Sequence, residues 1–186
     1  MRVVGGQLRG RQIAAPAEVS VRPTANRIRE AIFNILEHGI AGFSLEGIHV
    51  LDLFAGTGAL GIEALSRGAA YCLFIESDPQ ARAVIRRNVD SLGLTGNTKL
   101  FRRDATDLGT APNREGFRLA FLDPPYGQGL SALAPASADT GRWLAPGALA
   151  VVEDRRNLAI DLPANFEKLD ARSWGDTQVS FARYRG

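Results

Sequence analysis

The chain has 186 residues, a hydrophobic fraction of 45% and a formal net charge of +2. This length is that of one domain, and the apolar fraction is enough to bury a sizeable core. The single cysteine, Cys72, excludes an intramolecular disulfide and a cysteine-based metal cluster, and its apolar surroundings predict a buried thiol. The absence of a long apolar run predicts a cytoplasmic protein without membrane contact.

Positive charge is concentrated at the N-terminal end of the sequence. Residues 1–29 carry six arginines against one acid, Glu18, whereas the rest of the chain carries 16 basic and 19 acidic residues. Guanidinium groups bind phosphates in a bidentate manner, and counterion release favours such contacts with nucleic acid. A solvated basic segment without a partner fits the same pattern, so charge alone leaves both interpretations open.

The first predicted elements belong to a basic extension, residues 1–44. Residues 1–21 are rich in glycine, arginine and β-branched residues, which favours short strands or an arm. Apolar residues then recur from Ile28 to Leu36 at the spacing of one helix face. We therefore expect an amphipathic helix that follows Pro23 and ends near Gly39.

From residue 45 onward, short apolar strands alternate with helical segments. The strands are expected at Ile48–Leu53, Tyr71–Ile75, Lys99–Arg103, Leu119–Leu122 and Leu149–Glu153, before a hairpin of Phe166–Trp174 and Gln178–Tyr184. The helices are expected over Ala59–Ser66, from Asp78-Pro79 through Leu92, and weakly over 128–144, where Pro135 and Gly141 interrupt the pattern. This alternation predicts one Rossmann-like α/β domain with a doubly wound, mostly parallel sheet of seven strands.

A glycine-rich turn follows the first predicted strand. Gly56, Gly58 and Gly61 fit the spacing G-x-G-x-x-G, which lets the backbone approach a ligand at a helix N-terminus. Glu76 ends the second strand, where a carboxylate can accept hydrogen bonds from ribose hydroxyls. Sites for NAD, FAD and S-adenosylmethionine share both features.

Two further acids distinguish between these cofactors. Asp52 precedes the glycines, where it would repel a diphosphate but suit a sulfonium with a cationic amino-acid tail. Asp104 follows the third strand, where it can accept a hydrogen bond from adenine, with a backbone contact from Ala105. A helix cap is the alternative interpretation of Asp104. Together the acids favour S-adenosylmethionine over NAD.

The most specific motif is Asp123-Pro124-Pro125-Tyr126, at the end of the fourth strand. The lone pair of an exocyclic base amine is delocalised into the ring, which makes the amine a poor nucleophile. The Asp123 carboxylate and the Pro124 carbonyl could each accept one of its hydrogens and direct the lone pair at a methyl donor. Tyr126 could stack on a base swung out of its helix or loop. An ordinary turn is the alternative, because Asp-Pro-Pro is common in turns.

These motifs make the chain similar to the RsmD family, bacterial methyltransferases that act on the N2 amine of a guanine in 16S rRNA. The similarity includes Met1–Gly6, Arg9-Gly10-Arg11, Arg22-Pro23-Thr24 with Arg27 and Arg29-Glu30, Leu65–Ala69 and Gly175-Asp176-Thr177. It implies a class I methyltransferase fold, S-adenosylmethionine as cofactor and 16S rRNA as partner. We further expect a monomer that acts on an assembly intermediate of the small ribosomal subunit.

The resemblance also assigns site residues. The residues predicted to bind the cofactor are Asp52, Phe54, Ala55, Gly56, Gly58, Glu76, Asp104 and Ala105. The residues predicted to hold the guanine are Asp123, Pro124, Pro125 and Tyr126, and those predicted to contact RNA are Arg9, Arg11, Arg22, Arg27 and Arg29. Residues 131–140 look less helical than the resemblance implies and receive no role. His38 and His49 are interpreted as structural, and no metal site is predicted.

Three alternative functions remain open from the sequence. The same Asp-Pro-Pro-Tyr loop would serve N6 methylation of adenine in DNA or RNA. The same glycine turn would serve an NAD-dependent oxidoreductase. A binding module that kept the fold but lost catalysis is the third possibility.

Overall fold

Seven strands form one sheet in the order β3-β2-β1-β4-β5-β7-β6 in a computed structural model that describes residues 1–15, 23–112 and 115–186. The strands are β1 (His49–Leu53), β2 (Tyr71–Ile75), β3 (Thr98–Phe101), β4 (Phe117–Leu122), β5 (Leu144–Arg155), β6 (Phe166–Trp174) and β7 (Thr177–Tyr184). The first five are parallel, and β7 pairs antiparallel with both β5 and β6. The predicted Rossmann-like α/β sheet is confirmed.

The helices are α1 (Pro23–Asn34), which continues as a π-helical turn over Ile35–Gly39, α2 (Ala59–Ser66), α3 (Pro79–Ser91) and α4 (Leu130–Thr140), with a short 3₁₀ turn at Thr95–Asn97. Helix α3 begins as predicted, because the Asp78 side chain accepts a hydrogen bond from the Ala81 amide at 2.7 Å and Pro79 occupies the first turn. Among the described residues, no helix is both long and apolar enough to cross a membrane.

Two hydrophobic clusters cover the two faces of the sheet. Phe33, Ile62 and Phe74 lie in the cluster beneath α1, α2 and α3, whereas Leu53 and Trp143 lie in the cluster beneath α4. Strand β1 contributes to both faces because side chains alternate along a strand. Buried strands between two layers fit the nearly continuous apolar runs of the sequence.

Helix α4 corrects the sequence-based expectation that residues 131–140 are poorly helical. It is one helix of 11 residues and contains Pro135. Ala134, Pro135 and Ala138 are buried, and the Ser131 hydroxyl donates to the buried Asp154 at 2.6 Å. Packing against the sheet therefore outweighs the low helix propensity of proline.

The N-terminal arm (residues 1–15) is a short hairpin rather than an isolated tail. Arg2 and Gln12 form an antiparallel bridge, and the Ile13 amide donates to the Met1 carbonyl at 2.9 Å. Val3 and Ile13 are buried in the cluster that also contains α1 and α2. The arm therefore packs on the domain on the same face as α2. The remainder of the predicted arm, residues 16–21, lies outside the described residues.

Candidate active site

A cleft of about 690 Å³ opens at the carboxyl ends of β1 and β4. These two strands are neighbours in the sheet, and Leu53 is the register partner of Leu122. The chain order of the strands reverses here, which is where open α/β sheets bind their ligands. The cleft is lined by Met1, Ile28, Arg29, Ile32, Asp52, Phe54, Ala55, Gly56, Thr57, Ala59, Leu60, Ala81, Asp123, Tyr126, Glu153, Trp174, Gly175, Asp176 and Thr177.

Asp52 lies at the base of this cleft with 1% of its surface exposed. Its Oδ2 accepts a hydrogen bond from the Gly61 amide at 2.9 Å. Burial raises the pKa of Asp52 to about 8, the Gly61 hydrogen bond opposes that rise and the charge of Glu76 adds to it. A cation bound beside Asp52 would stabilise its ionised form.

Gly61 allows α2 to lie directly on the sheet. A Cβ at this position would lie 2.5 Å from both Cys72 Sγ and Phe74 Cε1. Cys72 is fully buried there, as predicted. The third glycine of the motif therefore serves helix–sheet packing and the hydrogen bond to Asp52.

The glycine turn has left-handed backbone at three alternate positions. Phe54, Gly56 and Gly58 have φ values of 59°, 56° and 77°. For Phe54 this conformation costs on the order of 1 kcal/mol, and such strain is concentrated at functional sites. The turn is held by the Gly58 amide, which donates to the Ala55 carbonyl at 2.6 Å. Phe54, Ala55 and Gly56 consequently face the cleft, while Gly58 is buried at the start of α2.

Glu76 connects the end of β2 to the glycine turn. Its Oε2 accepts from the Gly56 amide and its Oε1 from the Asp78 amide, each at 2.8 Å. This half-buried carboxylate therefore stands beside the turn, in the position that the sequence predicted for a ribose-binding acid.

Asp104 occupies a turn next to β3 and is exposed. Its Oδ1 accepts from the Thr106 amide at 2.8 Å and from the Thr106 hydroxyl at 2.7 Å, and these hydrogen bonds lower its pKa. The carboxylate thus closes a local turn and caps no helix. Ala105 is buried, and neither residue lines the cleft. A contact of Asp104 with adenine stays a prediction.

The Asp-Pro-Pro-Tyr loop enters the cleft from β4. Asp123 and Tyr126 line the cleft, Pro124 is buried and Pro125 is exposed. Asp123 reaches solvent through the open cleft. Nevertheless, the protein atoms around its carboxyl raise its pKa well above the ordinary value, and the charges of Glu153 and Asp52 add to that rise. The strand-end acids of β1, β4 and β5 are thus electrostatically coupled.

Tyr126 is fixed at its hydroxyl. The hydroxyl donates to Glu153 Oε1 and is hydrogen-bonded to Thr177 Oγ1 at 2.8 Å. With 40% of its surface exposed, the residue leaves its ring accessible in the cleft. Burial, followed by the charge of Glu153, raises the pKa of Tyr126 above its ordinary value, so the hydroxyl stays protonated.

The cleft has a negative electrostatic character. Asp52, Asp123, Glu153 and Asp176 line it. The basic lining residue Arg29 is committed elsewhere, because its Nε lies 3.4 Å from Glu63 Oε2. Because the raised pKa values of Asp52 and Asp123 disfavour their ionised forms in the free protein, a cationic ligand would stabilise their ionisation, whereas a diphosphate would oppose it.

Arg29 requires a correction among the arginines predicted to contact RNA. It is 4% exposed, and its guanidinium also bonds to the Arg2 carbonyl and to Asn26 Oδ1 at 3.0 Å. Burial lowers the pKa of Arg29, with the charge of Glu63 opposing the shift. We therefore assign Arg29 to the support of the arm instead of to RNA.

The other arginines predicted to contact RNA lie in different parts of the chain. Arg9 and Arg11 are exposed on the arm, and Arg11 donates to the Ser91 carbonyl of α3 at 3.1 Å. Arg27 is exposed on α1. Arg22 lies outside the described residues. Contacts of Arg9, Arg11 and Arg27 with RNA stay predictions.

Sequence reasoning missed the contribution of the C-terminal strands. Glu153, Trp174 and Thr177 line the cleft. The signal for Glu153 was available, because it ends the predicted fifth strand and ligands bind at carboxyl ends of parallel strands. Thr177 belongs to the segment Gly175-Asp176-Thr177 that carries part of the family resemblance, but no role was predicted for it. No local motif marks Trp174, and both residues reach the cleft because β6 pairs with β7 and β7 with β5.

Asn88 was also missed, and it connects the arm to the glycine turn. This buried side chain accepts from the Ala14 amide at 2.8 Å. Its Nδ2 donates to the Ala14 carbonyl at 3.1 Å and to the Thr57 carbonyl at 2.9 Å. Both N–H groups and the oxygen of one amide are therefore used to link the arm to the glycine turn.

The sheet order, the glycine turn and the acidic cleft define a Rossmann-like methyltransferase. Over residues 1–183 the chain matches the family described as "Conserved hypothetical protein 95", Cons_hypoth95. It belongs to this family, which is the RsmD family, and the resemblance seen in the sequence is confirmed.

Individual relatives agree with this assignment. "Putative rRNA methyltransferase YlbH" of Bacillus subtilis strain 168 is 39% identical over 192 residues, and the alignment covers 100% of this chain and 100% of that protein. "Ribosomal RNA small subunit methyltransferase D" of Escherichia coli K12 is 36% identical over 100% of this chain and 89% of its own length. The solved structure of "Putative methyltransferase yhhF" from Escherichia coli superposes with a TM-score of 0.83 at 30% identity, covering 100% of this chain and 98% of that one.

Proposed function

We propose that this protein transfers a methyl group from S-adenosylmethionine to the N2 amine of a guanine in 16S rRNA of the small ribosomal subunit. The observation that carries the proposal is the shared cleft of the glycine turn after β1 and the Asp123 loop after β4. The names of the relatives support rRNA as the substrate class.

The residues of the cleft fit the cofactor. Asp52 offers a carboxylate for a cationic amino-acid tail, and the turn from Phe54 to Gly56 offers backbone groups. Glu76, which accepts from the Gly56 amide beside the cleft, would serve a ribose. The predicted Asp104 and Ala105 would serve adenine. When bound, S-adenosylmethionine supplies a methyl group on a positively charged sulfur. An NAD diphosphate would instead face Asp52, Asp123 and Glu153.

Asp123 is the residue we assign to the target amine. Within the described part of the chain its carboxylate makes no hydrogen bond, so its oxygens are free to accept an N–H of the base. With the Pro124 carbonyl accepting the second hydrogen, the nitrogen lone pair is directed out of the ring plane. After methyl transfer the amine carries one extra proton and is strongly acidic, and Asp123 or water takes that proton.

The surroundings of Asp123 explain why both substrates are needed together. In the protein alone, burial and neighbouring acids raise its pKa, which disfavours the ionised form that accepts N–H groups. A cation bound beside Asp52 would offset the part of that shift that the neighbouring acids cause. A bound sulfonium cofactor would therefore favour the ionised form of Asp123.

The arm and the aromatic residues fit an RNA substrate. Arg9 and Arg11 are exposed for phosphate contacts, while the acidic cleft repels phosphates and admits a single extruded base. The exposed ring of Tyr126 provides a stacking surface, and its hydroxyl is fixed by Glu153 and Thr177.

The proposal is tested by digesting 16S rRNA from a strain that lacks this gene and quantifying modified nucleosides by mass spectrometry. We expect one N2-methylguanine to disappear and to return with the wild-type gene but not with a gene encoding Asp123→Ala. An unchanged N2-methylguanine content in the deletion strain would exclude this target. A thermal shift with S-adenosylhomocysteine and none with NAD(H) would separate the methyltransferase from the oxidoreductase.

A further inference from the structure

Two acidic side chains lie next to each other at the carboxyl ends of β4 and β5. Leu122 and Val152 are register partners in this parallel pair, so the residues that follow them, Asp123 just after β4 and Glu153 near the end of β5, lie side by side. Both line the cleft. The mechanism above uses Asp123 for the target amine and leaves Glu153 without a role toward the base.

Glu153 is held in a defined orientation. Its Oε1 accepts the Tyr126 hydroxyl, which is also tied to Thr177. The next residue, Asp154, is buried and accepts from the Ser131 hydroxyl at 2.6 Å and from the Arg155 amide at 2.6 Å. The end of β5 is therefore fixed on both sides.

One oxygen of Glu153 is left for a ligand. In residues 1–15, 23–112 and 115–186, the recorded hydrogen bond of this carboxylate uses Oε1, and Oε2 makes none. No buried polar side-chain atom in the same part of the chain lacks a partner, so Oε2 is open to the cleft rather than enclosed. Asp123 and Glu153 thus present adjacent acceptors to whatever occupies the cleft.

Adjacent acceptors distinguish the two purines. The Watson–Crick edge of guanine presents two neighbouring donors, the N2 amine and N1–H. That of adenine presents one donor, the N6 amine, beside the unprotonated N1. A carboxylate opposite this N1 would meet a lone pair, and a buried polar group left unpaired is strongly unfavourable.

We propose that Glu153 accepts the N1–H of the target guanine while Asp123 accepts from its N2 amine, so that this carboxylate pair selects guanine over adenine. The inference rests on the proposed function, because it names the residue that determines the specificity of the same site. It also gives the Tyr126 hydroxyl a purpose: it orients Glu153 toward the base.

The test uses 2-aminopurine, which keeps the N2 amine but has an unprotonated N1. Small-subunit particles are assembled from 16S rRNA ligated around a synthetic segment that carries guanine or 2-aminopurine at the target. Initial rates of N2 methylation give kcat/KM for each base with the wild type, Glu153→Gln and Tyr126→Phe. The Gln substitution keeps the shape of Glu153 but can donate an N–H to N1.

We expect the wild type to prefer guanine by about 100-fold or more, and Glu153→Gln to reduce that preference by about tenfold or more. Tyr126→Phe keeps the carboxylate but loses the hydroxyl that orients it, so it should slow methylation of both bases and reduce the preference for guanine by less than Glu153→Gln does. Melting temperature and S-adenosylhomocysteine affinity near those of the wild type establish that Glu153→Gln is folded.

The outcomes separate this inference from the proposed function. If the wild type produces N2-methylguanine but Glu153→Gln keeps the wild-type ratio of kcat/KM between guanine and 2-aminopurine, the role of Glu153 is overturned and the proposed function stands. A wild-type product other than N2-methylguanine would overturn both. If kcat/KM falls by the same factor for guanine and 2-aminopurine in both Glu153→Gln and Tyr126→Phe, Glu153 only positions Tyr126, and the proposed selection of guanine is overturned.

Discussion

Leu53 and Leu122 lie opposite each other in the parallel pairing of β1 and β4. The glycine turn begins immediately after Leu53, and the Asp123 loop begins immediately after Leu122. Two chemically distinct segments, more than sixty residues apart in the chain, therefore leave the sheet at neighbouring points. This pairing brings the residues proposed to bind the methyl donor and those proposed to bind the acceptor amine into one cleft.

Replacing Asp123 with Asn should slow methyl transfer by about 100-fold or more, because the amide is a weaker acceptor for the base amine and for its proton. Single-turnover rates at saturating cofactor measure the change. Asp161→Asn, an exposed acid outside the cleft, is the matched control and should retain the wild-type rate. A rate for Asp123→Asn equal to that of the control would remove Asp123 from the mechanism.

The affinity for S-adenosylhomocysteine should depend on pH through Asp52. Its pKa is about 8 in the free protein, and the ammonium group of the ligand favours the ionised carboxylate. Binding below that pH must release a proton, so the dissociation constant should fall as pH rises toward about 8 and level off above it. The steepest possible change is about tenfold per pH unit.

Asp52→Asn provides the comparison for this pH dependence. Its amide keeps an acceptor for the Gly61 amide but cannot titrate. Calorimetric titrations from about pH 6 to about pH 9 should therefore give a flatter profile for the variant than for the wild type. Identical slopes for the two proteins would assign the titration to another group.

The same carboxyl predicts an effect on stability. Because the folded-state pKa of Asp52 lies above that of the unfolded chain, the folded protein loses stability relative to the unfolded chain as pH rises from about 4 to about 8. Asp52→Asn removes this loss, so it should unfold at higher urea concentration than the wild type near pH 8. The advantage should shrink toward pH 4, and an advantage that grows toward low pH would contradict the assignment.

Glu63 is expected to contribute most to attachment of the N-terminal arm. This fully buried carboxylate accepts from the Val4 and Gly5 amides at 2.9 and 2.7 Å and pairs with Arg29 and Arg67. Its replacement by Ala leaves the buried Arg29 without its ion-pair partner and Arg67 with Glu37 alone, and should cost about 3–5 kcal/mol in the free energy of unfolding. Urea denaturation measures this loss.

A surface ion pair supplies the control for Glu63. Arg172 and Asp170 pair at 2.9 Å on β6 and are substantially exposed, so Arg172→Ala should cost less than about 1 kcal/mol. If Glu63→Ala and Arg172→Ala lower the free energy of unfolding by the same amount, the buried Glu63 network stabilises the protein no more than an exposed ion pair does.

The arm should bind RNA through phosphates. Replacing Arg9 and Arg11 together with Ala should weaken RNA binding and reduce the slope of log Kd against log salt by roughly 1 to 2. Arg118 is exposed at the amino end of β4, opposite the cleft, so Arg118→Ala should leave the slope unchanged. Salt slopes that agree among all three proteins would refute a phosphate role for the arm.

The sequence predicted elements best where local and tertiary signals agree. The bounds of α2 and β2 match the expected Ala59–Ser66 and Tyr71–Ile75, because Gly58 and Gly68 flank the helix and an almost continuous buried apolar run forms the strand. Strand β5 begins at Leu144, before the expected Leu149, although Pro146 and Gly147 interrupt the apolar pattern. In the pairing of β4 with β5, Phe117 lies opposite Leu144 and Leu119 lies opposite Leu149, so the additional residues of β5 form an irregularity between these two pairs. No local sequence pattern predicts such an irregularity.

The candidate site likewise contains residues that local motifs predict and residues whose positions depend on tertiary contacts. Asp52, Phe54, Ala55, Gly56, Asp123 and Tyr126 could be predicted because each lies in or beside a motif at a strand end. The burial of Arg29 could not be predicted from the sequence, because it depends on a contact with Glu63, which is 34 residues further along the chain. The contacts of Glu153 and Thr177 with Tyr126 could not be predicted either, because they are set by the order of the strands in the sheet.

Mass spectrometry of rRNA methylated in vitro tests the central claim most directly. Small-subunit particles from the deletion strain are incubated with the purified protein and a donor carrying an isotopically labelled methyl group. The label should appear in a single nucleoside, N2-methylguanosine, and should be absent with Asp123→Ala. Label in N6-methyladenosine, or none with the wild-type protein, would contradict the account.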